Sequence, residues 1–195
     1  MLIHDSKIMH EMEKIKPGAH VCLLYENEEE WQNSVIPFLA TGINGNEVCV
    51  CVVKEHTVQQ IRQYLDEAYK DLPSPQIDQQ LIILQSEDIP PSDYSADINK
   101  LIQYIIDAAY KAKQDGFKGL RFTAEIDWMV GTGENSFENM LEYENSLTSD
   151  LSLNFPITVL SRCYIDKFSI AAIKEIVMTH AFYIREDKFY RNYRH

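Results

Sequence analysis

The run Glu47-Val-Cys-Val-Cys-Val-Val53 constrains the fold more than any other stretch of this chain. It is rich in β-branched residues and apolar at every position after Glu47, so both of its faces must be covered. A strand with one wetted face would alternate apolar and polar residues instead. A doubly covered strand belongs inside a parallel sheet with helices above and below. The rest of the chain supplies the alternating segments such a sheet needs.

His20–Tyr25 reads as a first short buried strand, and residues 81–84, 119–126 and 157–163 read as others. Apolar residues at helical spacing lie between them. Asn27, with Glu30 three residues on, reads as the cap of a helix carrying Trp31, Val35, Phe38 and Leu39. Pro37 is expected to kink that helix, and Gly42 with Asn44-Gly45 to end it. Thr57 is expected to cap a second helix bearing Val58, Ile61, Leu65 and Ala68. Pro73 and Pro75 then lead to the third strand, and residues 87–94 read as a loop. Ile98, Leu101, Ile102, Ile105, Ala109 and Ala112 make the clearest amphipathic stripe, stopped by Asp115-Gly116. Further helices are expected around Phe137, Met140, Leu141, Leu147 and Leu151, and around Ile173, Ile176 and Val177. Residues 181–184 and 189–190 should close the sheet as an antiparallel edge. The predicted fold class is therefore α/β, a mainly parallel sheet flanked by helices on both faces.

A chain of 195 residues suits one such domain, expected over 17–195 behind a 1–16 extension. Its 18 basic and 30 acidic residues leave a net charge of −12, which repels nucleic acid and anionic lipid. The basic run Arg185, Lys188, Arg191, Arg194 and His195 reads as a solvated terminal strand. The longest apolar stretch, near Val48 to Val53, is far too short to cross a bilayer. The amino terminus lacks the basic flank and apolar core of a signal peptide, so a cytoplasmic location is expected. Cysteines 22, 49, 51 and 163 sit in apolar strands, where reduced core thiols are the expected state.

In the predicted fold, a site lies beyond the carboxyl ends of the strands. Those ends are Tyr25 to Glu29, Lys54 to His56, Glu125 to Trp128 and Cys163 to Asp166. Where a P-loop would need glycines and a lysine, the chain has Glu26-Asn-Glu-Glu-Glu30, whose four carboxylates would repel a triphosphate. Gly131-Thr-Gly133-Glu-Asn-Ser136 only weakly resembles a dinucleotide loop and reads better as a capped connection. His20-x-Cys22 and Cys49-x-Cys51 each place two metal-binding types on one strand face, but alternation in apolar strands produces buried core residues just as well. No metal or cofactor is expected. Cys163 with His20 or His180 lacks a nucleophile signature, and Glu125 with Asp127 reads equally as an acid/base pair or as a solvated rim, so the chain is not read as an enzyme. Tyr25, Trp128, Tyr143 and Tyr164 suit a pocket for a small, partly apolar ligand, although core packing accounts for some of them.

In order along the chain come Gly18-Ala-His20-Val-Cys22-Leu-Leu-Tyr25, Val35-Ile-Pro37-Phe38 and Asn46-Glu47-Val-Cys49-Val. Gly119-Leu-Arg121, Glu125, Trp128, Tyr143-Glu144, Cys163-Tyr164, Phe168-Ser169 and Thr179-His180 follow. This ordered set, spread over residues 17 to 184, resembles the MEDS domain of methanogen and methylotroph regulators. That domain is similar in turn to RecA/KaiC-like ATPases without their P-loop. The resemblance implies a three-layer RecA-like fold and a sensor of small molecules, including hydrocarbon derivatives, coupled to a kinase, transcription regulator or other regulatory protein. It places His20, Cys22, Cys163 and His180 at the family's marked positions. Ligand contacts are then expected from His20, Cys22, Tyr25, Glu125, Trp128, Cys163 and Tyr164. Ala181 stands where the family usually has proline. The flanking segments are too short for an output domain, so signalling is expected through a partner protein or a homodimer. Two other readings stand beside this one. The first is a divergent RecA-like nucleotide binder or NTPase, with Glu125 and Asp127 holding Mg²⁺. The second is an interaction protein whose ancestral pocket is filled by side chains.

Overall fold

The structure, a computed structural model, describes residues 11–12, 15–69, 74–86, 94–127, 136–149 and 156–192. Trp128, the 131–135 part of the glycine loop, residues 87–93, Leu151, Arg194, His195 and the side chain of Ile98 lie outside that description.

The strands are β1 (His20–Tyr25), β2 (Val48–Val53), β3 (Leu81–Gln85), β4 (Leu120–Glu125), β5 (Ile157–Tyr164), β6 (Phe182–Arg185) and β7 (Lys188–Arg191). They form one sheet in the order β3-β2-β4-β5-β1-β6-β7. Every pairing is parallel except β6 with β7. β1 and β2 are buried at all their positions, as their doubly apolar sequences require. The helices are α1 (Glu28–Asn44), α2 (Val58–Ala68), α3 (Ser74–Gln80), α4 (Tyr94–Gln114), α5 (Ser136–Ser149) and α6 (Ile170–Met178).

Side-chain alternation splits the core into two layers. Val21, Leu23, Cys49, Cys51 and Leu160 pack with residues of α1, α2 and α3. Cys22, Leu24, Val50, Phe122 and Cys163 pack on the other face with residues of α4, α5 and α6. This is the predicted three-layer α/β sandwich with an antiparallel carboxyl-terminal edge. Met12 and Ile15 are buried in the first of these layers.

Local chemistry explains most boundaries. Asn27 accepts from the Glu30 N–H at 3.0 Å, capping α1, and Thr57 forms a capping box with Gln60 that starts α2. The β6–β7 hairpin turns on Glu186 and Asp187, both with positive φ (50° and 55°), which matches the twist of the flanking strands. α1 continues through Pro37 to Asn44, with the proline inside the helix. Two expectations change. Gly42 does not end α1 but lies inside it, where a Cβ would sit 2.5 Å from Cys49 Sγ and 2.6 Å from Arg121 Cδ. The connection after Pro73 contains the short helix α3, with Pro75 in its first turn, where a missing N–H costs no helical bond.

Gly42 makes room for a buried ion pair at the amino end of the sheet. Arg121 Nε donates to Glu47 Oε2, and the two side chains are only 5% and 8% exposed. The guanidinium also lies 5.0 Å from the centre of the Phe38 ring, and its Nη1 is 3.4 Å from the Phe38 carbonyl. Among the described residues, no helix is long and apolar enough to cross a membrane.

Candidate functional sites

Two constellations lie at opposite ends of the central strands, and the predicted ligand residues within the described part of the chain fall in or beside one or the other.

The first is a cleft of about 320 Å³ at the carboxyl ends of β1, β2 and β4, where a doubly wound sheet places its ligands. Tyr25 and Tyr164 form one wall, with ring centres 5.4 Å apart. Trp31 and His56 form another, stacked at 4.1 Å and 12°. His56 Nε2 lies 3.0 Å from both carboxylate oxygens of Glu28. Tyr25 donates to Glu125 Oε1 at 3.3 Å. Burial, then the charge of Glu125, pushes the Tyr25 hydroxyl well above the usual phenol range, against an opposing pull from Arg162.

The cleft collects carboxylates from Glu26, Glu28, Glu55, Glu125 and Asp127, opposed by Lys54 and Lys167. The amino end of α1 is closed to an anion. Its first turn holds Glu28, Glu29 and Glu30, and two N–H groups there are already bonded, Glu30 to Asn27 and Glu26 to Glu30. Arg162 lies fully buried on the α1 face of β5, its guanidinium 5.5 Å from the centre of the Trp31 ring. One of its nitrogens donates to the Val52 carbonyl, and Nε and Nη1 have no hydrogen-bond partner among the described residues. A tyrosine- and tryptophan-lined acidic cleft favours polar or cationic organic molecules over phosphates.

The second constellation is buried on the α4–α6 face. His20 opens β1, Ser161 lies on β5, Glu144 on α5 and His180 just beyond α6. His20 Nε2 is 2.9 Å from Ser161 Oγ, 3.1 Å from Glu144 Oε2 and 3.0 Å from His180 Nε2. His180 Nε2 is 2.9 Å from the same Glu144 oxygen. On its other side, His180 Nδ1 donates to the Ile176 carbonyl at 2.8 Å, with Thr179 Oγ1 at 2.9 Å. Glu144 and His180 have no exposed surface, and His20 is 7% exposed.

Burial, reinforced by His180, lowers the His20 pKa to about 4, with Glu144 pulling the other way. Burial alone would raise Glu144, but the bonds from His180 and His20 outweigh it and hold the carboxyl at about 2. Cys22 and Cys163 share this face, and the charge of Glu144 helps to raise both thiols, after burial as the main cause. Among the described residues, His20, Glu144 and His180 are the group of ligand atoms that converges as a metal site would require.

Of the predicted ligand residues, Tyr25, Glu125 and Tyr164 therefore line the cleft, while His20, Cys22 and Cys163 lie in the interior. Two residues that sequence reasoning left out of the site carried a readable signal. Glu144 falls on the buried stripe of Met140, Tyr143 and Leu147, and Arg162 interrupts an apolar strand. A charge in either place needs an explanation.

Comparison with known proteins agrees with this architecture. A KaiC-like protein from the hyperthermophilic archaeon Pyrococcus horikoshii OT3 is similar in fold, with a TM-score of 0.55 and 16% identity over 86% of this chain and 70% of that one. No curated protein matches in sequence. The pattern of the MEDS family, the methanogen/methylotroph, DcmR sensory domain, matches residues 19–181. With that match spanning most of its length, the chain belongs to the MEDS family of sensory domains.

Proposed function

We propose that this sensory domain binds a small polar organic molecule, of the size of a short alcohol or alkylamine, in the cleft at the carboxyl ends of β1, β2 and β4. Occupancy then changes its affinity for a regulatory protein. The carrying observation is the cleft itself, about 320 Å³ walled by Tyr25, Tyr164 and the Trp31–His56 stack and rimmed by carboxylates. Aromatic faces with nearby carboxylates attract an organic cation or a hydroxyl-bearing carbon chain, and they repel a polyphosphate. A ligand shifts such a domain between states only by binding one of them better, so the signal requires residues that move with occupancy. Tyr25 and Tyr164, neighbours at the ends of two paired central strands, would report it.

The test is ligand-observed NMR and calorimetry with a panel of short alcohols, alkylamines and Mg²⁺-ATP, on the wild type and on Tyr164→Ala. Saturable binding of an amine or alcohol, weakened at least tenfold in the variant, supports the proposal. Mg²⁺-dependent ATP binding with no organic ligand would overturn it in favour of a divergent nucleotide binder.

A further inference from the structure

We propose that His20, Glu144 and His180 form a binding site for one divalent first-row transition ion, with Zn²⁺ the best fit. The site lies on the opposite face of the sheet from Arg162 and Trp31, and the inference stands independently of what the cleft binds.

The geometry carries the argument. Three ligand atoms from three separate elements, His20 Nε2, His180 Nε2 and Glu144 Oε2, lie 2.9, 3.0 and 3.1 Å from one another. Around a tetrahedral ion with bonds of about 2.0–2.1 Å, such atoms stand about 3.3 Å apart, so a few tenths of an ångström of outward movement admits the metal. The tautomer of His180 is set from outside. Its Nδ1 faces the Ile176 carbonyl at 2.8 Å, and a carbonyl can only accept, so Nδ1 holds the proton. That leaves Nε2 as the nitrogen facing Glu144 Oε2 and His20 Nε2, where an ion would take the place of any proton shared with the carboxylate. A histidine oriented by a backbone carbonyl through its other nitrogen is the usual outer support of a metal ligand.

His20 adds to the same point. Its Nε2 has Ser161 Oγ, Glu144 Oε2 and His180 Nε2 all within hydrogen-bond distance, and one N–H points along only one such line. An ion at the centre would meet all three ligands at once. The donor set selects the ion class. Two imidazoles and one carboxylate suit Zn²⁺, Fe²⁺ or Co²⁺, whereas Mg²⁺ and Ca²⁺ prefer oxygen-only shells with retained water. The near-complete burial of all three side chains excludes the several waters that Mg²⁺ or Ca²⁺ would keep, leaving one water or the Ser161 hydroxyl as the fourth ligand. A bound ion would tie the start of β1 to α5 and to the turn after α6, elements up to 160 positions apart in the chain.

The test is a Co²⁺ titration of chelator-treated full-length protein, followed by visible absorption and by metal analysis after dialysis. One equivalent should bind with the ligand-field bands of a four-coordinate ion, be displaced by one equivalent of Zn²⁺, and raise the thermal midpoint. Glu144→Gln should weaken binding at least tenfold. Wild-type protein that is folded by circular dichroism yet takes up no ion overturns the proposal, and so does a folded Glu144→Gln that binds as tightly. Should that variant fail to fold, the imidazole ¹⁵N spectrum of the wild type decides. Zn²⁺ must move the Nε2 resonances of both His20 and His180, and unchanged resonances would mean that a proton alone joins them to Glu144.

Discussion

Glu47→Gln keeps the size of the buried Glu47 side chain but removes the charge that faces Arg121. The two side chains are 8% and 5% exposed, so water cannot replace the lost carboxylate. The remaining oxygen contact of Arg121, from Nη1 to the Phe38 carbonyl, is long at 3.4 Å and too weak to compensate. Breaking a buried pair from one side costs about 3–5 kcal/mol. Glutamine retains one neutral acceptor, which places the expected loss near the lower end, about 3 kcal/mol. In a chain of this size that corresponds to a fall in thermal midpoint of roughly 6–12 °C. The internal control is Asp78→Asn, which breaks the exposed Arg62–Asp78 pair, 39% and 63% exposed, and should cost less than about 1 kcal/mol. Urea unfolding followed by far-UV circular dichroism gives both values, with an unchanged slope showing that the unfolded state is not altered. Replacing both partners by methionine should recover most of the loss, because an apolar pair needs no compensating charge. A loss for Glu47→Gln no larger than that for Asp78→Asn would refute the reasoning.

Gly42→Ala gains about 1 kcal/mol of helix propensity, yet its new Cβ would lie 2.5 Å from Cys49 Sγ and 2.6 Å from Arg121 Cδ. Cys49 is fixed in β2 and Arg121 is held by Glu47, so an overpacking cost of about 1–3 kcal/mol should prevail, and a raised melting midpoint would contradict it. All four cysteines are buried, and burial, opposed by Arg162, lifts the Cys51 thiol from its ordinary 9.0 to about 11. The neutral thiol is therefore favoured by folding. Its contribution is fully present below pH 9 and is lost as the pH rises towards 11, a decline that urea melts across that range should show. Iodoacetamide at pH 8 should accordingly label the native protein far more slowly than the urea-unfolded chain.

The position of the cleft was legible because an apolar run that ends in polar residues marks the carboxyl end of its strand. Tyr25, Lys54 to His56, Glu125 and Tyr164 all lie on its wall. The interior cluster was half legible. Alternation put His20 and Cys22 on one face, and the family resemblance added Cys163 and His180. Strand periodicity cannot tell which helix will bring a carboxylate over that face, because this depends on where α5 crosses the sheet. Glu144 enters the sequence reading only within the Tyr143-Glu144 fragment, although it lies four residues after Met140 and three before Leu147, on the stripe that turns inward. Gly42 misled for a related reason. Glycine near a helix end usually marks its stop, and only the approach of Cys49 and Arg121 shows that close packing is why it is there.

The strand order also dictates the sequence of events by which the molecule comes together. Among the described strands β1 is made first, yet both its neighbours, β5 and β6, lie within residues 157–185. Its backbone donors and acceptors stay unmatched until residues 157–185 have been made. β2, β3 and β4 can already have joined by then, since each finds a neighbour among the others. Closing the sheet thus requires a contact that spans some 140 positions, Cys22 against Ser161, and loop closure of that length is slow to form. Until it does, the apolar His20–Tyr25 segment is the part of the nascent chain most in need of shielding from its neighbours.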